Sequence, residues 1–222
     1  NTARLFIIFA SAPEDTLIWN DDGIEGSYRF LNRIWRFSYE FKNNANVNSA
    51  DLKPTEKMKI YFADLTVILK QINFDYERLH FNTVASSAMK IMNLMESKDL
   101  QKEENQQIYY FHKYSLNILL KILSPICPHL CFYLWKELDF GDDIFQSNWP
   151  EIKKEFLIRD NYQMVVQING KLRGKILAPE NLDELKAIDL IKKDAELFKN
   201  ISGKQIVKTI IVKNKLINLV VK

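Results

Sequence analysis

Over roughly the first 138 positions the apolar residues recur every three or four places, and beyond about position 160 they recur every second place. The first spacing belongs to helices and the second to strands. In "DDGIEGSYRFLNRIWRFSYEFKN", Leu31, Ile34, Trp35, Ser38 and Phe41 fall on one side of a helix, while Arg29, Asn32, Arg33, Arg36 and Glu40 fall on the other. Its acidic start offers Asp21 or Asp22 as the capping residue. "PTEKMKIYFADLTVILKQINFDYERL" predicts a second helix with Pro54 in the first turn. "FNTVASSAMKIMNLMESK" predicts another, capped at Asn82 or Thr83. Pro125 and Pro128 then separate "KEENQQIYYFHKYSLNILLKIL" from "SPICPHLCFYLWKEL", because both prolines cannot sit inside one regular helix. Helices with such short connections predict an antiparallel bundle over residues 1–138.

After Leu138 the texture changes. Residues 139–160 carry Gly, Asp, Ser and Pro punctuation and read as a linker. Residues 161–222 alternate as strands in "NYQMVVQI", "KLRGKILA", "KQIVKTIIV" and "LINLVV", with an acidic helical stretch after the first pair and a turn at Lys213–Asn214–Lys215 in the second. The fold class expected is therefore mainly α: a bundle followed by a small α+β domain of β-β-α-β-β order, close to the lower size limit for independent stability. Asn169–Gly170 between alternating runs marks a hairpin. A two-residue loop would pair Ile168 with Lys171 and send the cations to the apolar side. A three-residue loop pairs Val166 with Leu172, placing Met164, Val166, Leu172 and Ile176 on one face and Gln167, Lys171, Arg173 and Lys175 on the other. The hydrophobic pattern favours the three-residue loop.

Charge sharpens this division. Of the 222 residues, 47% are hydrophobic and 27% charged, which is globular. Residues 1–150 hold 16 Lys and Arg against 19 Asp and Glu, whereas residues 151–222 hold 15 against 9. Two parts of opposite sign suit two domains, of which the small basic one invites a polyanion. Within residues 163–178 and 203–222 there are eight Lys or Arg and no acid. A single lysine there would read as protection of a sheet edge. Eight cations without an acid favour a phosphate-binding surface of Lys171, Arg173, Lys175, Lys204, Lys208, Lys213 and Lys215. Arg29, Arg33 and Arg36 form a second candidate stripe, whose competing reading is a helix face that is merely solubilised. No apolar run is long enough to span a bilayer, and the start lacks both Met and a basic segment, so the chain reads as cut from a longer cytoplasmic protein.

Candidate chemistry is sparse. Cys127 and Cys131 lie four apart, but a tetrahedral zinc site needs four ligands and His80, His112 and His129 are scattered, so buried reduced thiols are the better reading. Asp139, Asp142 and Asp143 lack calcium-loop spacing. A phosphate loop needs a strand, a glycine-rich turn and then a helix, whereas a strand follows Gly170. No nucleophile stands with a base. Neither catalytic nor metal-ligating residues are expected.

The segments "FASAPEDTLIWNDDGIEGSYRFLNRIWRF", "FNTVASSAMKIMN", "LSPICPHLCFYLW", "NWP", "VVQINGKLRGKI" and "KTIIVKNKLINLVV" together resemble, in order, the C-terminal third of bacterial-type leucyl-tRNA synthetases. "SPICPHLCFYLW" alone would indicate only the class I anticodon-binding fold, shared with the valine, isoleucine and methionine enzymes. The resemblance implies a bundle that docks near the D-arm of leucine tRNA and a small domain that reaches its elbow and long variable arm. It implies that the ATP-binding signatures and editing domain precede Asn1. The parent would then use ATP with Mg2+ to charge leucine onto tRNA, while this part needs no cofactor and activates no leucine. The other partners implied are the catalytic and editing domains of the same chain, in a cytoplasmic monomer. Thr66, Val67 and Ile68 stand where the family has a basic helical turn, so no backbone contact is expected there. The competing readings are a protein-interaction module whose basic sheet docks an acidic partner, the equivalent region of a related class I synthetase, and a self-contained enzyme.

Overall fold

Asn20, rather than either aspartate, starts the long helix of the first predicted segment: its side chain accepts from the amides of Asp22 and Gly23, leaving Asp21 and Asp22 in the first turn. This helix, α2 (Asp21–Asn43), is one of eight among the residues that the computed structural model describes, namely 1–12, 14–44, 53–156, 161–179, 182–212 and 215–222. It is preceded by α1 (Thr2–Ala10), which buries Leu5 and Phe6. A Cβ at Gly23 would lie 2.7 Å from the Phe6 ring, so glycine there lets the two helices close on each other. α3 (Glu56–Glu77) begins after Pro54, with Thr55 as its cap accepting from the Met58 amide. α4 (Phe81–Met95) follows His80 rather than Asn82 or Thr83; the Thr83 hydroxyl instead donates back to the His80 carbonyl. α5 (Asn105–Leu123) and α6 (Pro128–Glu137) are separated at the two prolines, with Pro128 opening α6 where its missing N–H costs nothing.

The chain divides into two compact units, Asn1–Leu157 and Ile158–Lys222. The first is a helical bundle whose core centres on Phe62. That ring lies 5.1 Å from Phe111, 5.5 Å from Tyr110 and Tyr114, and 4.6 Å from Phe156, centroid to centroid. Phe156 belongs to the stretch expected as a linker, so that expectation needs correcting over 139–156. Ile144 and Phe156 are buried in the bundle core, and the Trp149 indole donates to the Asn73 side chain. Burying these apolar groups outweighs the loop-like composition around them. Residues 157–160 lie outside the described set.

The second unit is a four-stranded sheet in the order β2-β1-β4-β3, formed by β1 (Asn161–Ile168), β2 (Lys171–Pro179), β3 (Ile206–Val212) and β4 (Leu216–Val221). The central pair β1 and β4 is parallel and the outer pairings are antiparallel. The predicted single helix is two, α7 (Glu184–Lys193) and α8 (Ala195–Ile201). Asp194 breaks the run by taking extended backbone and accepting from the Leu197 amide with its own carboxylate. Ala187, Ile191, Leu197 and Ile201 from these helices pack with Met164, Val166, Ile176, Ala178, Ile217 and Leu219 of the sheet. At Gly174 a Cβ would come within 3.0 Å of Leu197, so the glycine admits α8 against β2.

The hairpin departs from the expected loop. Ile168 pairs with Lys171, so the turn has two residues, Asn169 and Gly170, with φ of 50° and 76°. Those left-handed angles define the tight turn that Asn-Gly favours. The register then shifts between Val166 and Gln167: Gln167 faces Leu172, but Val166 faces Gly174. A bulge at Arg173 thus absorbs the parity conflict, keeping Met164, Val166 and Ile176 in the core while Leu172 is left 64% exposed.

Candidate nucleic-acid interface

With both helices on one side of the sheet, strand alternation assigns the side chains of the opposite, uncovered face. Register places one row across it at Lys175, Val165, Leu216 and Val212, and another at Leu172, Gln167, Asn218 and Ile210. Lys208 continues the face beside Val220. The floor on β1 and β4 is therefore neutral, and the cations stand on the outer strands. Three strand spacings put β2 and β3 about 14 Å apart.

The predicted cations do not all share this face. Lys175 and Lys208 lie on it, and Arg173 projects from the bulge. Lys171 pairs with Ile168 and so has the parity of the helix-covered side, at the tip of the hairpin. That corrects the expectation of a single face for Lys171, Arg173 and Lys175, and the cause is the extra residue in β2. All of Lys171, Arg173, Lys175, Lys204, Lys208 and Lys215 are exposed. Lys213 lies outside the described residues. Among the described residues no carboxylate pairs with Lys171, Arg173, Lys208 or Lys215; Lys204 donates to the Asn200 carbonyl, and Lys175 has a partner of its own. Asp183 is engaged locally, where hydrogen bonds from Lys186 hold its carboxyl below the usual range.

Chemically, such a face can accept phosphates at its edges, at Lys175 and Arg173 on β2 and at Lys208 on β3, on either side of a neutral floor. It has no ring on which an unpaired base could stack. The aromatic residues of 161–222 are Tyr162, which packs against the core, and Phe198, which lies on α8.

The arginine stripe of α2 separates into two roles. Arg29 and Arg36 are exposed. Arg33 is tied to α4: its Nε donates to Glu96 at 2.8 Å and its Nη2 to the Asn93 side chain at 2.8 Å. The partners lie sixty residues away, so helix spacing alone could not reveal the pair. Sequence reasoning also passed over an exposed aromatic cluster beside Arg36. The Trp35 ring stacks on Tyr133 at 5.1 Å with planes 13° apart, and the hydroxyls of Tyr39 and Tyr133 are 3.1 Å apart. That bond, with burial second, pushes the Tyr39 hydroxyl up to about 12. The readable sign was Trp35 and Tyr39 at i and i+4, one position off the arginine stripe.

The other candidates are structural. Cys127 and Cys131 are buried free thiols; burial pushes the Cys127 thiol up to about 11 and the Cys131 thiol well above its ordinary value. His112 bonds the Met95 carbonyl through Nε2, and burial lowers its pKa. Because a carbonyl only accepts, Nε2 carries a proton in this bond. Asp143 caps a short 3-10 turn by accepting from the Phe145 amide. Thr66 is buried, its hydroxyl donating to the Phe62 carbonyl. Among the described residues no group of His, Cys, Asp or Glu could hold a metal ion, and no helix is long and apolar enough to cross a membrane.

Comparisons agree with this architecture. Residues 59–189 match a family described as the anticodon-binding domain of tRNA ligase. Leucine–tRNA ligases from Leptothrix cholodnii and Coxiella burnetii are each 37% identical over 227 aligned positions, which include all of this chain but 25% and 27% of their own lengths. The Francisella tularensis enzyme is 36% identical, again over all of this chain and 27% of its own length. The chain thus spans about a quarter of the curated relatives it matches. Among solved structures, the ternary complex of Agrobacterium radiobacter K84 agnB2 LeuRS with tRNA and LeuAMS superposes with a TM-score of 0.64. It is 24% identical and is covered over 28% of its length, a likeness of fold.

Proposed function

The chain belongs to the family of anticodon-binding domains of tRNA ligases, and from that premise we propose that it positions leucine tRNA for a leucine–tRNA ligase. The observation that carries this reading is that the outer strands bear Lys171, Arg173 and Lys175 on β2 and Lys208 on β3, while no strand of the sheet holds an acid. Lysine and arginine on outer strands meet phosphates without reading bases, which suits a ligand recognised by shape and backbone. The absence of a stacking ring from the floor favours a base-paired surface over an unpaired strand. In this reading the small unit contacts the elbow and long variable arm through Lys171, Arg173, Lys175, Lys204, Lys208, Lys213 and Lys215. Arg29 and Arg36 contribute from the bundle, while Arg33 holds α2 to α4.

The longer protein would attach leucine using ATP with Mg2+, through domains outside these residues. No step of that chemistry falls to the hairpin, since the glycine turn at Gly170 leads into a strand rather than a helix. Exposed Ile7, Phe9, Ile18 and Trp19 would suit packing against such domains in a cytoplasmic monomer.

Gel-shift titration of a leucine tRNA transcript with the 222-residue chain tests the proposal. A complex that weakens by at least about tenfold between roughly 50 and 200 mM salt is expected. No complex at the lower salt would overturn it. Binding of an acidic protein partner in place of tRNA, seen as a size-exclusion shift, would favour the interaction-module reading instead.

A further inference from the structure

The turn of the cationic hairpin is fastened to the last strand of the chain. At Asn169 the main chain of β1 turns away, yet β4 continues for two more residues and its backbone groups still need partners. The Asn169 amide N–H donates to the Leu219 carbonyl at 2.9 Å. The Asn169 side chain then does what the next strand residue would have done. Its Nδ2 donates to the Val221 carbonyl at 3.0 Å, and its Oδ1 accepts from the Val221 amide at 2.9 Å. From the other direction, Asn218 Oδ1 accepts from the Gly170 amide at 3.2 Å. Four hydrogen bonds therefore hold a two-residue turn to β4, at a site where Val221 is buried. A primed turn accepts glycine as well as asparagine at this position, so its φ does not require the side-chain amide. What asparagine adds is a paired donor and acceptor with the spacing of a peptide group.

We infer that Asn169 is a positioning residue, whose side-chain latch to Val221 fixes the hairpin so that Lys171 and Arg173 meet the tRNA backbone already in place. The inference rests on the tRNA reading proposed above. A long basic side chain on a loose tip must be ordered on binding, whereas a tip already pinned at four points loses less freedom. The carboxyl-terminal end of β4 thereby acts on binding through the hairpin.

The test is a double-mutant cycle on the full chain, with leucine tRNA transcript as the probe. It is run at a temperature where circular dichroism shows every variant folded. Asn169→Gly keeps the turn conformation and removes the latch, and Asn218→Ala removes one bond without touching the turn sequence. Expected for Asn169→Gly are faster exchange of the Val221 amide proton and about five- to tenfold weaker binding, with a smaller loss for Asn218→Ala. In a Lys171→Ala, Arg173→Ala, Lys175→Ala background, Asn169→Gly should cost little more, because the cations it places are gone. Equal losses in both backgrounds, or unchanged binding of Asn169→Gly beside a weakened triple variant, would overturn the inference alone. A triple variant that binds like the parent would overturn the hairpin's tRNA role and this inference with it.

Discussion

The bundle and the sheet unit handle charge in opposite ways. In the bundle, several surface cations pair with the unit's own acids: Arg33 with Glu96, Lys42 with Glu137, Lys57 with Glu103, Lys59 with Glu56 and Lys102 with Asp99. In the sheet unit the acids sit on and beside the helices, and the strands carry cations only. Their cores differ too. The bundle encloses an aromatic cluster around Phe62, whereas the buried core described in the sheet unit is aliphatic apart from Met164. One unit pairs part of its surface charge with its own acids, pairs that are worth little to stability, and the other carries its cations on strands that hold no acid. Charge removal should therefore affect folding little in either unit, but should affect binding in the sheet unit.

The largest expected effect lies in the bundle core. Phe62→Ala empties the centre of the aromatic cluster and should lower stability by about 3–5 kcal/mol. Urea unfolding followed by helical circular dichroism measures it, and a loss near zero would mean the cluster is not the core. Next, Gly174→Val should cost about 1–3 kcal/mol, because the new side chain meets Leu197. A shift of the β-strand amide resonances would report it.

A smaller effect depends on pH. Burial lowers the pKa of His112, so the unfolded chain takes up a proton more readily than the folded one. Its contribution to stability is complete above the ordinary histidine value near 6.5 and is lost as pH falls below that value toward the lowered one. The urea midpoint should therefore drop less between pH 7 and pH 5 in His112→Gln than in the parent. An identical drop would remove His112 from the account. Smallest is the Arg33–Glu96 pair: a double-mutant cycle with Ala at both positions should yield less than about 1 kcal/mol, since both groups are partly solvated. Loss of tRNA affinity from Glu96→Ala alone, without loss of stability, would reopen a ligand role for Arg33.

Much of this contrast was legible in the sequence, and what was not has physical causes. Helices α2 to α6 followed from apolar spacing, and the hairpin from Asn169–Gly170. Their caps did not follow, since Asn20, Thr55 and His80 won their places by local backbone geometry that several neighbouring polar residues could have supplied. The hairpin register failed for a sharper reason. Alternation implies one residue per pleat, and the bulge at Arg173 inserts a residue without any mark in the pattern, which sent Leu172 to the surface. The packed segment containing Ile144, Trp149 and Phe156 looked like a linker because three anchoring side chains are hidden among loop residues. Arg33 looked available because its acid lies on another helix. The cationic strands themselves were plain, because the absence of acids survives any error of register.

The central claim is that those strands hold a polyanion through its phosphates. The most direct test is the slope of log affinity for leucine tRNA against log salt concentration, for the parent chain and for the Lys171→Ala, Arg173→Ala, Lys175→Ala variant. Each phosphate that is no longer neutralised should reduce the slope by about 0.7–0.9, so the variant's slope should be shallower by roughly two to three, with its melting temperature nearly unchanged. An equal slope in the two proteins would contradict the account.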